Sequence, residues 1–348
     1  VSRAAALIPS LWVAACASAP LPLPEPTWHL VPVGSLHAGA SAAPSLRGLA
    51  AVDAATAWVT GSGGAILRTR DGGANWQAVG PRGLERADFR DVVAWSADEA
   101  LVMVAGEPAQ LLRTDDGGRS WQVVFAEAAA GAFFDGLAAH GDDVALFGDP
   151  LGGLHYLRRS HDRGRSFFVP DLAWLPAPLP GEAGFAASGT CLHWMGRNDL
   201  AIATGGGPAA RFLRQGPPPV AVELPLQAGA ASRGAFSVAF AVDARHGVVV
   251  GGDYQAAEVA QGTAAWTADG GATWQAARVP PAGYRSAVLW LGGTRWLATG
   301  PGGTSLSGDH GQSWQPFGAI GWHCLARTGD TVWATGGDGR VGRLQLPR

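Results

Sequence analysis

The chain has no lysine; all 25 of its basic residues are arginine. No side-chain amine can form a Schiff base, and no lysine-bearing phosphate loop can be built. Cysteine is nearly as scarce. Cys16, Cys191 and Cys324 are the full set, and none stands in a CxxC pair or beside histidines at ligand spacing, so no metal site is expected. Cys191 and Cys324 fall at corresponding positions of non-neighbouring repeats, which favours two buried thiols over a disulfide. Charge is thin as well. Charged residues make up 15% of the 348, and the formal net charge of −3 offers no basic field for nucleic acid. No strand–helix–strand pattern can be read, so "GSGGAI" at 61–66 fails as a dinucleotide fingerprint.

What the chain does have is repetition. A hydrophobic content of 47% suits a sizeable core, and a closed all-β ring of this length can be one unit. "RTDDGGRSW" at 113–121 has near copies at 68, 159, 266 and 306, which places Asp71, Asp116, Asp162, Asp269 and Asp309 in register. The long gap between the third and fourth copies holds a repeat, "LAIATGGGPAARFLRQGPPP" at 200–219, whose turn has become Gln-Gly-Pro. Apolar strands ending near Gly61, Gly106, Gly148, Gly205, Gly251, Gly300 and Gly336 bring the count to seven. Seven units of four short strands predict an all-β, seven-bladed β-propeller of antiparallel blades over residues 27–348. The last repeat stops one strand short, and "TWHLVPV" at 27–33 is predicted to complete it, closing the ring and removing its open edges.

Repetition also decides the role of the boxes. In Ser/Thr-x-Asp-x-Gly-x-x-Trp the carboxylate can accept backbone N–H groups of a tight turn, and glycine supplies the positive φ. The closing aromatics Trp76, Trp121, Phe167, Trp274 and Trp314 are expected to pack between sheets. Five equivalent staples suit a ring better than five active sites, so the box aspartates are assigned a structural role. These residues resemble BNR (YVTN/BNR-like) or Asp-box repeats. The seven-repeat layout is similar to the photosystem II stability/assembly factor propellers and their bacterial relatives, with "LFGDPLGG" at 146–153, "GEAGFAASGTCL" at 181–192, "GAFSVAF" at 234–240, "VGGDY" at 250–254 and "GYRSAV" at 283–288 nearer to the bacterial members. Such relatives carry labels such as oxidoreductase or glycosyl hydrolase-like without a chemistry that residues explain. The resemblance implies a fold more firmly than an activity.

The N-terminal "RAAALIPSLWVAACASA" reads as a secretory signal within residues 1–19, too short in its apolar run to span a membrane. Val13-Ala14-Ala15-Cys16 resembles a bacterial lipobox, with Cys16 as the lipidated residue, while Ala17-Ser18-Ala19 offers an ordinary cleavage site. "PLPLPEP" reads as a stiff linker at 20–26. An exported, periplasmic or envelope-anchored monomer is expected, its membrane contact limited to that lipid.

Sites are sought at one end of the channel. Aligning the innermost strands puts Arg47, Arg90, Asp135, Ser188, Phe236, Arg285 and His323 at one height, followed by Gly48, Asp91, Gly136, Gly189, Ser237, Ser286 and Cys324. Asp149 and Asp253 follow second strands. Long loops at 168–184 and 253–265 add Trp174, Glu182 and Tyr254, and Tyr284 precedes Arg285. The arginines would suit an anionic ligand or a carboxylate-bearing protein partner, or else form salt bridges with these acids. The first expectation is a non-enzymatic binding or assembly scaffold without a cofactor. A sialidase-like glycosidase is the alternative, with Arg47, Arg90 and Arg285 as an arginine triad, but the Phe-Arg-Ile-Pro motif is missing. An oxidoreductase holding a quinone-type cofactor is the third.

Overall fold

A computed structural model of the chain describes residues 28–31 and 43–346. The leader, the Cys16 lipobox and the 20–26 linker lie outside the described residues. Seven antiparallel sheets follow one another along the chain as blades 1 to 7 of a β-propeller. Their innermost strands are Leu46–Ala51, Phe89–Ala94, Phe134–His140, Leu192–Gly196, Arg233–Phe240, Ala287–Gly292 and Cys324–Thr328. Each second strand is an almost unbroken apolar run, such as Ala57–Gly61, Ala100–Val104 and Thr331–Thr335, and all residues of these three are buried. A strand with a blade on either side has no solvent face, so its pattern is continuous instead of alternating.

The ring closes as expected. The outermost strand of blade 7 is His29–Val31, paired antiparallel with Val341–Gln345 through His29–Arg343, Leu30–Gly342 and Val31–Val341. Blade 3 departs from the four-strand expectation. It has three strands, and its fourth survives as a single bridge between Arg159 and Phe168. Pro170, two residues on, lacks the N–H needed to extend a ladder.

Five turns repeat one hydrogen-bond pattern. In blade 2, Asp116 Oδ1 accepts from Thr114 Oγ1 at 2.9 Å and from Ser120 N at 2.9 Å, Oδ2 accepts from Ser120 Oγ at 2.6 Å, and Gly118 N donates to Thr114 Oγ1 at 2.9 Å. Asp71, Asp162, Asp269 and Asp309 do the same with Asn75, Ser166, Thr273 and Ser313. The box aromatic packs on the preceding blade: Trp76 lies edge-on to Trp333 of blade 7 at 6.0 Å, and Trp121 meets Trp58 of blade 1 at 6.3 Å. An arginine of the third strand then clasps the box turn of the next blade. Arg68 Nη1 donates to Gly117 O at 2.8 Å, Arg113 Nη1 to Arg163 O at 2.5 Å, and Arg343 Nη1 to Gly72 O at 2.6 Å. Blade 4 has no box to receive Arg159, which lies over the Trp194 ring instead, 4.4 Å from its centroid. Cys191 and Cys324 are free, buried thiols.

Candidate functional site

The innermost strands do not run straight into the mouth. In blades 1, 2, 3 and 5 the register slips by one residue, and the extra residue is Arg47, Arg90, Asp135 or Phe236. Blades 6 and 7 repeat the device: Ser286 N donates to Thr299 O while Ala287 faces Thr299, and His323 N donates to Thr335 O while Cys324 faces Thr335. A bulge re-aims the residue it leaves out of the ladder, and here it does so at equivalent points of the ring.

One half of the mouth is charged. Arg90 Nε donates to Asp88 Oδ2 at 2.6 Å, and its Nη1 crosses to Ala186 O at 3.1 Å. Arg47, half-buried beside it, makes no ion pair among the described residues; burial and the Arg90 charge both push its pKa down. His323 touches Ser45 Oγ through Nε2 at 3.3 Å. Burial, then the charges of Arg47, Arg340 and Arg90, lower its pKa to about 4, so the ring is neutral at pH 7. Asp135 is buried, and burial followed by the neighbouring Asp149 carboxylate lifts its pKa well above the usual range. The two carboxyls lie close enough to interact, and both are near the Gly184 N–H. Gly184 permits this approach, since a Cβ there would stand 2.4 Å from Asp135 Oδ2.

The other half is aromatic. Phe185 stacks on Phe236 at 3.7 Å, and Tyr284 and Tyr254 meet Phe236 edge-on at 4.8 and 6.2 Å. The two long loops supply part of this wall. Residues 168–184 lead into Phe185, and Ala257 O of the 253–265 loop accepts the Tyr284 N–H at 2.8 Å. Tyr254 is 49% exposed, whereas Phe236 and Tyr284 are buried.

Below the mouth the channel is closed. "ASGTC" of blade 4, expected as an innermost strand, is instead a loop that enters the axis, and the strand begins only at Leu192. Ser188 Oγ donates to Ser286 O of blade 6 at 2.7 Å, Thr190 Oγ1 bonds Ser237 Oγ of blade 5 at 2.7 Å, and Cys324 Sγ of blade 7 reaches Ser188 O at 3.1 Å. Gly189, at φ +71, lies so close to Asp91 that a Cβ would fall 2.2 Å from its carboxylate.

Other residues singled out from sequence are engaged elsewhere. Arg285 is buried in blade 6, donating to Gly283 O at 3.3 Å, Tyr284 O at 2.9 Å and Ser305 Oγ at 2.9 Å, with its pKa lowered to about 10 by burial. Glu182 anchors its loop: it binds Arg211 and accepts from Thr204 Oγ1 at 2.5 Å and from Leu179 N at 2.7 Å. Asp253 pairs with Arg233 at 2.8 Å. Trp174 lies against blade 4, its carbonyl accepting the Gly216 N–H at 3.1 Å. Phe185, Asp88 and the axial loop were not anticipated. The glycine of "ASGTC" gives no warning, because Gly48 and Gly136 stand at the same aligned position inside strands.

Residues 41–145, spanning blades 1 and 2 and part of blade 3, match the family model of the photosynthesis system II assembly factor YCF48. No curated protein matches the chain in sequence. Among solved structures, YCF48 from Cyanidioschyzon merolae superposes with a TM-score of 0.60 at 17% identity, covering 91% of this chain and 98% of that one. A structure of YCF48 bound to D1 peptide gives 0.58 at 14%, covering 92% and 95%. The GH74 enzyme of Niastella koreensis gives 0.57 at 14%, covering 83% of this chain and 50% of that one. The family match and the two YCF48 structures carry the resemblance to the assembly-factor propellers; at these identities the structural likeness is one of fold.

Proposed function

We propose that the chain is a non-enzymatic binding or assembly propeller that holds a carboxylate-bearing peptide segment of a partner protein at this mouth. The observation that carries the reading is Arg47. Its neighbour Arg90 is bonded to Asp88, but Arg47 stands half-buried with no ion pair among the described residues and only the shared Asp88 charge nearby, beside an aromatic wall. A guanidinium in that position gains most from an anionic partner that shares its partial desolvation. Phe185, Phe236, Tyr254 and Tyr284 would take an adjacent apolar side chain of the same segment. The D1 peptide held by one YCF48 structure supports a peptide over a small anion. Against a glycosidase stands the Asp135–Asp149 pair. Its carboxyls lie close enough to act on one another, whereas retaining and inverting enzymes hold theirs roughly 5–10 Å apart around the scissile bond.

Fluorescence anisotropy with a labelled D1 peptide tests the reading. Arg47→Ala should weaken binding about tenfold or more, the loss of one charge-assisted contact. An Arg47→Ala protein that binds as tightly as the parent would remove Arg47 from the site. The leader-like N-terminus carries a further part of the proposal, that the protein works outside the cytoplasm, and fractionation of host cells tests that part.

A further inference from the structure

The axial loop that floors the mouth also roofs a second space. On its far side a cavity of about 370 Å³ opens toward the opposite end of the ring, lined by the inner strands of blades 1 to 4 from Leu49 to Ala51, Val92 to Ala94 and Leu137 to His140, together with Leu192, His193 and Trp194. Its closed end is formed by Asp91, Ser188, Gly189 and Thr190. It shares no residue with the charged or aromatic halves of the mouth.

Asp91 gives this space its chemistry. The side chain is 4% exposed, Oδ1 accepts from Val92 N at 2.7 Å and Oδ2 from Leu137 N at 2.6 Å, and no arginine or histidine among the described residues bonds it. A carboxylate has about four acceptor sites, so two remain open. The groups packed around it cannot neutralise it. Cys191 and Cys324 are thiols held protonated by burial, and the hydroxyls of Ser188 and Thr190 already serve one another, Ser286 and Ser237. At the rim, burial lowers the His193 pKa to about 4, which leaves that ring uncharged. Burial without a counter-cation lifts Asp91 to about 7.

A buried acceptor at the blind end of a cavity calls for a donor that carries charge. The space also exceeds what a bare ion fills, since a water takes about 30 Å³ and the cavity would hold roughly a dozen. We propose that the lower channel is a binding site for a small primary ammonium compound that enters ammonium-first and bonds Asp91. The free edges of the inner strands offer N–H and C=O groups to polar substituents on its remainder.

Titration of the full chain with ethanolammonium chloride, followed by the amide NMR signals of Val92 and Leu137, tests this. Saturable, one-to-one shifts are expected, with ethylene glycol binding at least about tenfold more weakly for want of the charge. Asp91→Asn should abolish the preference, and Ala139→Trp at the exposed rim should weaken entry without touching Asp91. Arg47→Ala should leave the titration unchanged, so failure here and failure at the mouth are distinguishable. Absence of saturable shifts in the parent chain, equal binding of ethylene glycol, or an equal response to potassium chloride overturns the proposal.

Discussion

The turns between third and fourth strands and the residues around the channel mouth are both seven-fold addresses in one ring, and they behave in opposite ways. At the turns the same side chains recur: Asp71, Asp116, Asp162, Asp269 and Asp309 each grip a hydroxyl two residues back and an Asn, Ser or Thr four residues on. At the mouth, equivalent bulge positions hold Arg47, Arg90, Asp135, Phe236 and His323, no two neighbours making the same contacts. A ring needs identical joints, so sameness at equivalent positions reports mechanics. A ligand has no seven-fold symmetry, so difference at equivalent positions is what the recognition proposed for the mouth requires.

Changes at the two addresses should therefore separate stability from binding. The largest effect is expected from Trp76→Ala, which empties the blade 7–blade 1 interface where Trp76 meets Trp333. Chemical denaturation should show a loss of about 3–5 kcal/mol, with the peptide binding proposed for the mouth unchanged at temperatures where the ring is folded. Asp309→Ala strips the bonds to Ser307 and Ser313 and should cost about 1–3 kcal/mol. A variant as stable as the parent but unable to bind would overturn the structural role of the boxes.

Acid and base should divide the two regions next. Bonds from Ser120 hold the Asp116 pKa at about 2; at Asp162 and Asp269 the bonds from Ser166 and Thr273 outweigh burial and reach the same value. A depressed carboxylate stabilises the fold above its ordinary pKa of 3.8, and that contribution fades as pH falls through about 2. Asp91 has the opposite sign: raised to about 7, it favours the fold fully at pH below 3.8, and the contribution is lost as pH rises through 7. Urea midpoints across this range should fall on both sides, and Asp91→Asn should flatten the alkaline limb alone. The smallest effect is expected from Arg47→Ala on stability, within about 0.5 kcal/mol by thermal melting. A large drop would mean that Arg47 is a joint after all.

The architecture was readable because a joint must be written into every repeat. Box, glycine-ended strand and closing aromatic recur at a near-constant period, and the orphan strand at each end predicts the closure seen between His29–Val31 and Val341–Gln345. The mouth was readable only as a set of positions. Where each side chain goes depends on contacts and register that the alignment does not hold: Arg90 bonds Ala186 O across 96 residues, and Arg285 turns into blade 6 toward Ser305 because the bulge there falls one residue on, at Ser286. The axial loop was missed because "ASGTC" fits the strand alignment until Gly189 takes a positive φ. The lost fourth strand of blade 3 depends on one proline just beyond Phe168.

The pairing of His29 with Arg343 also has a consequence in time. A ribosome makes His29 long before Arg343, so blades 1 to 6 are synthesised while blade 7 lacks its outer partners. Six blades can form sheets in order, but the joint between the first and last has to wait for release of Val341–Gln345. Contacts of such sequence separation fold slowly and leave strand edges open meanwhile. Until Val341–Gln345 emerges the blades form an open arc, and its pairing with His29–Val31 turns that arc into a ring.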